Sequence, residues 1–192
     1  MTNSNTIYRN IDEHLHAIQL IRETLAESIE QIAHLVSQSL VNGGTLFWCG
    51  NGGSAADSQH LAAELVGRFK EDRRPLRSIA LTTDTSVLTC VANDYSYEEI
   101  FARQVEALGR PGDVLLAIST SGNSKNVLCA LKAAKGLGLV TVALLGKAGG
   151  PCKDMADYAL VVPSQITSRV QEAHILIGHI LCELIEEELG LV

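Results

Sequence analysis

Apolar residues recur at helical spacing through the first forty positions, at Ile11, Leu15, Ile18, Ile21, Leu25, Ile29, Ile32 and Leu35, and the run stops at Asn42-Gly43-Gly44. A period near 3.6 predicts one or two amphipathic helices over residues 7 to 41. Beyond the glycines the pattern changes to short continuous apolar runs at Thr45 to Cys49, Ser78 to Leu81, Val114 to Ile118, Val140 to Leu145 and Tyr158 to Val162. Each reads as a strand buried on both faces. Helical stretches such as Ser54 to Phe69 and Ser124 to Lys135 separate these runs. The alternation predicts an α/β fold, a doubly wound parallel five-stranded sheet flanked by helices. A last helix over Thr167 to Leu189, about 30 Å long, joins the N-terminal helices as a candidate oligomer interface. Ala148-Gly-Gly-Pro151 reads as a loop. No linker, repeat or low-complexity segment interrupts the chain. The expected organisation is one domain over 1–192, with a helical segment over 1–42 and an α/β core with its C-terminal helix over 43–192.

Composition narrows the class. With 46% hydrophobic residues among 192, the chain can bury a sizeable core. Its 15 basic and 22 acidic residues give a formal charge of −7, and the basic residues gather no further than Lys70, Arg73, Arg74 and Arg77, so nucleic acid is not an expected partner. The polar start MTNSNTIYRNIDEH lacks the apolar centre of a signal peptide, and no apolar run approaches the roughly 20 residues of a membrane span. A cytoplasmic protein without membrane contact is expected. Five scattered cysteines, never spaced as Cys-x-x-Cys, read mostly as small core residues.

Chemistry gathers at two strand ends. Gly50-Asn-Gly-Gly-Ser54 follows the first strand and opens a helix, where glycines admit a ligand to the backbone and the helix N-terminus favours an anion or oxygen-rich group. Gly50-x-Gly52-x-x-Ala55 satisfies a relaxed dinucleotide fingerprint, but the acidic residue about 20 positions on, at the end of the second strand, is missing. Ser119-Thr-Ser-Gly-Asn-Ser124 offers four hydroxyls, a glycine and a helix start after the third strand. Without a P-loop lysine it suits the monophosphate of a small substrate; the plainer alternative is a helix cap and turn using one or two hydroxyls.

His60 and Glu64, four residues apart, share one helix face and could share a metal or a proton, although such pairs are common on exposed faces. The last helix adds Gln171, Glu172, His174 and His179 in the apolar run RVQEAHILIGHILCELIEEEL. His179 stands among isoleucines and leucines, and a core histidine bonded to a carbonyl is the competing reading. Glu172 aligns best with His179, seven residues on, while Gln171 lies roughly 80° away, so spacing does not choose between them.

Three stretches, CGNGGSAADSQHLAAELVGRF (49 to 69), ANDYSYEEIFARQVEALGRPGDVLLAISTSGNSKNV (92 to 127) and RVQEAHILIGHILCELIE (169 to 186), together resemble the SIS (sugar isomerase) domain proteins, most closely the phosphoheptose isomerases. The resemblance implies conversion of sedoheptulose 7-phosphate to D-glycero-D-manno-heptose 7-phosphate, on the way to lipopolysaccharide and other heptose products. It also implies a homotetramer with active sites at subunit contacts and one Zn2+ per subunit. Carried over by motif, Asn51, Gly52, Gly53, Asn93 and Asp94 line the sugar, and Ser119, Thr120, Ser121 and Ser124 hold the phosphate. His60, Glu64, Gln171 and His179 are the implied metal set, with Glu64 and Gln171 also at the substrate; Glu64 is the implied base and His179 its acid/base partner. Ser168 stands where some phosphoheptose isomerases carry Asp. The rival class is a non-catalytic SIS protein that senses a sugar phosphate or binds a replication or regulatory protein. Retention of Glu64 and His179 favours the enzyme.

Overall fold

In the computed structural model, which describes residues 3–192, the N-terminal repeat forms two helices, α1 (Asn3–Thr24) and α2 (Ala26–Val41). Five parallel strands follow among the described residues: β1 (Leu46–Gly50), β2 (Ser78–Ala80), β3 (Val114–Ser119), β4 (Val140–Gly146) and β5 (Tyr158–Val162), in the order β2-β1-β3-β4-β5. Alternate residues of the central strands point to opposite faces, which splits the core in two. Leu46 and Trp48 of β1 join Leu116 and Ile118 of β3 on one face, under α2, α3 (Gly53–Val66) and α8 (Thr167–Glu188). Phe47 and Cys49 join Leu115 and Ala117 on the other face, under α4 (Thr85–Asp94), α5 (Ala102–Leu108), α6 (Lys125–Gly136) and α7 (Gly150–Met155). No described helix is long and apolar enough to cross a membrane.

The doubly wound sheet matches the expectation, and the departures have simple causes. β1 and β3 are buried throughout, and β4 nearly so, but β2 exposes Ile79 and β5 leaves Tyr158, Ala159 and Val161 half-buried. The helices cover the middle of the sheet, so its edge strands keep one face partly open. The loop expected over Ala148 to Pro151 ends earlier, because Gly150 and Pro151 begin α7; a first-turn proline gives up an N–H that has no partner there in any case. Of the five cysteines, Cys49, Cys152 and Cys182 are buried, Cys129 is half-buried and Cys90 is exposed.

The buried histidine with a carbonyl partner is His174. It is fully enclosed between α8 and the sheet, and its Nε2–H donates to the Leu145 carbonyl at 3.0 Å. Burial lowers its pKa to about 4, against the opposing effect of that hydrogen bond. The unfolded chain takes up this proton near pH 6.5 and the folded chain only near 4, so the stability His174 contributes is complete above 6.5 and falls as pH drops towards 4. The expected loss across that window is about 3 kcal/mol. Urea midpoints at pH 7, 6, 5 and 4 should show it, and His174→Gln should flatten this part of the profile.

Candidate active site

The chain order reverses between β1 and β3, which pair in parallel along their length. A crevice forms at the carboxyl ends of strands where such a reversal occurs, and both cradles sit there. In the first, the Asn51 amide is already engaged: it exchanges two 2.8 Å hydrogen bonds with Asn126 and accepts one from the Tyr97 hydroxyl at 2.9 Å. Gly52 and Gly53 are exposed at the start of α3. A Cβ on Gly53 would collide with the Gln171 amide, so α8 delivers Gln171 to this cradle.

In the second cradle, Ser124 occupies the N-cap position of α6 but makes no capping bond. Its hydroxyl lies 3.1 Å from that of Ser119, while Ser119 Oγ accepts from the Gly122 N–H and Ser121 Oγ from the Asn123 N–H. First-turn N–H groups lack carbonyl partners within a helix, and here the cap residue turns towards Ser119 instead. The hydroxyls therefore frame a helix N-terminus suited to an anion. Gly122 closes the turn at φ +67°, where a Cβ would overlap the Gly149 carbonyl.

α3 and α8 bring the titratable groups together. Gly178 permits this approach, since a Cβ there would strike the Leu61 side chain. His60 Nε2 then lies 2.9 Å from His179 Nε2 and 3.2 Å from a Glu64 oxygen, and donor atoms of all three residues fall within 4.8 Å of one another. Two imidazoles and a carboxylate form a donor set suited to Zn2+. The other Glu64 oxygen accepts no hydrogen bond among the described residues. Glu172 faces away, towards Arg169 at 2.7 Å and His14 at 2.8 Å on the α1 side. Asn93 and Asp94 stay exposed at the end of α4, bonded to each other at 2.8 Å and to neither cradle among the described residues. Thr120 is half-buried between Ser119 and Ser121, and exposed Ser168 lies in the first turn of α8.

The SIS domain profile matches residues 9–146. A phosphoheptose isomerase of Helicobacter pylori (strain P12) is 57% identical over 173 residues, 90% of this chain and 90% of its own. The chain belongs to the phosphoheptose isomerase family of SIS domain proteins. The solved phosphoheptose isomerase of Neisseria gonorrhoeae superposes with a TM-score of 0.92 at 45% identity, over 97% of this chain and 100% of that one. That of Francisella tularensis gives 0.95 at 39% identity, with the same coverage.

The SIS domain also places residues at the site that the motifs had not singled out. Asp57 stands three residues before His60 on α3. Burial raises its carboxyl pKa above the ordinary value, while His60 and His179 draw it back. Its spacing to His60 and Glu64, i, i+3 and i+7, was the available signal. Tyr97 and Asn126, which orient Asn51, lie within the 92–127 stretch, but no spacing rule links them to Asn51, which is 46 and 75 residues away.

Proposed function

We propose that this chain is an aldose–ketose isomerase that converts sedoheptulose 7-phosphate to D-glycero-D-manno-heptose 7-phosphate. The observation that carries the reading is the convergence of Glu64, His60 and His179 from α3 and α8, with α3 starting at the sheet's reversal point. Ser119, Thr120, Ser121 and Ser124 hold the phosphate at the α6 N-terminus, and Gly52, Gly53, Asn93, Asp94, the Asn51 backbone and Gln171 surround the sugar. The Glu64 oxygen free of hydrogen bonds takes the proton from C1 of the ketose. An enediol forms, and Glu64 returns the proton to C2. His179 moves the hydroxyl proton between the two oxygens, so the carbonyl passes from C2 to C1 with no net gain or loss of protons. A zinc ion held by His60, Glu64, Gln171 and His179 would supply Lewis-acid polarisation of the carbonyl.

The same reading includes one domain, a cytoplasmic homotetramer with active sites at subunit contacts, and a product used for lipopolysaccharide heptose. Support for assembly comes from the exposed Ile7, Ile11 and Leu15 on α1. A cavity of about 360 Å³ continues this surface between α1, α2 and α8, lined by Ile18, Ile21, Ile29 and Ile180.

NMR of purified protein with sedoheptulose 7-phosphate, after chelation and again with added zinc, tests the activity. Heptose 7-phosphate should appear and should depend on zinc; binding without conversion would overturn the isomerase in favour of a sensor. Ser124→Ala should raise KM for the sugar phosphate about tenfold, since a hydrogen bond to a charged group contributes about 1.5 kcal/mol or more. Its kcat should change far less, because the phosphate remains distant from the reacting carbons.

A further inference from the structure

The other ring nitrogen of His179, Nδ1, has no hydrogen bond among the described residues. A histidine that binds metal or moves protons is ordinarily oriented by such a bond. Two rings hold this one instead. His60 meets it edge-on at 5.2 Å and 71°, and Phe69 stacks on it at 5.5 Å and 23°.

Phe69 is itself clamped. It lies just beyond α3, on the segment leading to β2, where its N–H donates to Glu186 at 2.9 Å and the Lys70 N–H donates to the other Glu186 oxygen at 3.2 Å. Arg73 Nε donates to Glu186 at 2.7 Å, and its Nη groups donate to the Glu64 and Leu65 carbonyls at 2.8 Å. The Arg73 and Glu186 side chains are 2% and 0% exposed. Burial raises the Glu186 carboxyl pKa, but the bonds from Phe69, Arg73 and Lys70 overcome this and hold it below the ordinary value. Glu186 follows His179 by seven residues, two turns along the same face of α8. The clamp therefore ties the end of α3, with Glu64, to the part of α8 that carries His179.

We propose that Phe69 is a positioning residue that fixes the His179 imidazole by stacking, and that Glu186 and Arg73 seat Phe69 for this purpose. The role rests on the isomerase reading above.

Phe69→Leu and Phe69→Tyr test it, each measured for kcat and KM with sedoheptulose 7-phosphate and, without sugar, for zinc affinity by competition with a chelator. Phe69→Leu should lose about tenfold or more in kcat and in zinc affinity, the range typical of groups that orient a ligand. Its KM should stay within about threefold, and Phe69→Tyr should recover most of both losses. Unchanged kcat and zinc affinity in Phe69→Leu, or a tyrosine variant no better than leucine, would overturn the role. The zinc comparison needs no substrate, so a wild type that fails to isomerise the heptulose sinks the isomerase reading and leaves Phe69 to be decided by affinity. One measurement requires no folded leucine variant: the stacked phenyl ring should shift the wild-type His179 imidazole protons upfield, with assignment by His179→Asn. Unshifted resonances would overturn the contact.

Discussion

Glu64→Gln should lower kcat about a thousandfold, within the range a positioned acid/base group contributes, while leaving the thermal midpoint nearly unchanged. Glutamine fills the same half-buried space and still offers an oxygen towards His60, which approaches Glu64 at 3.2 Å. It cannot accept a proton from carbon. The variant should also fail to incorporate deuterium from D2O into the substrate, which isolates proton abstraction from later steps. Zinc content measured alongside separates the two roles placed on this residue: recovery of turnover with added zinc would make Glu64 a ligand and remove it as the base. Wild-type turnover would remove it from both.

The sheet was legible because the information that specifies it is local. Runs such as Val114 to Ile118 are apolar at every position, which is what a strand covered on both faces requires, and the glycines at residues 43 and 44 end the helical repeat. The elements not anticipated, α4, α5 and α7, are short, and among their residues only Val91, Ala102, Val105 and Cys152 are buried. Ten or fewer residues with so few core positions leave little periodicity to read.

Site chemistry was legible one helix at a time. His60 and Glu64 share a face of α3 whatever surrounds them, but spacing alone left Gln171 and Glu172 as rivals on α8. Tertiary contacts separate them: Arg169 and His14 draw Glu172 towards α1, and Gln171 reaches Gly53. The same limit applied to the histidines. His174 and His179 sit in one apolar run, yet only the first is enclosed by the sheet, while His179 faces α3 beside the small Gly178. No property of the run itself says which side of α8 meets β4.

Glu186→Gln should cost about 3–5 kcal/mol of stability, because it leaves the buried Arg73 guanidinium without its counter-charge. Glutamine has one side-chain oxygen where the carboxylate accepts from Arg73, Phe69 and Lys70. Joint replacement, Arg73→Met with Glu186→Leu, should recover only part of the loss. It removes the orphan charge but leaves two backbone N–H groups unpaired, each costing about 1–3 kcal/mol if they remain dry. The depressed carboxyl pKa sets the pH window: this contribution is present above the ordinary value of 4.5 and is lost as pH falls below it, after the His174 contribution has largely gone. Urea denaturation of the single variant should therefore show a large deficit at pH 7 that narrows below 4.5. A deficit under about 1 kcal/mol at pH 7 would mean that other contacts hold the segment, such as the Leu76 N–H bond to the Leu65 carbonyl at 3.0 Å. Activity lost by the variant at temperatures where it remains folded would trace to the groups the clamp seats, Phe69 against the His179 imidazole and the end of α3 with Glu64.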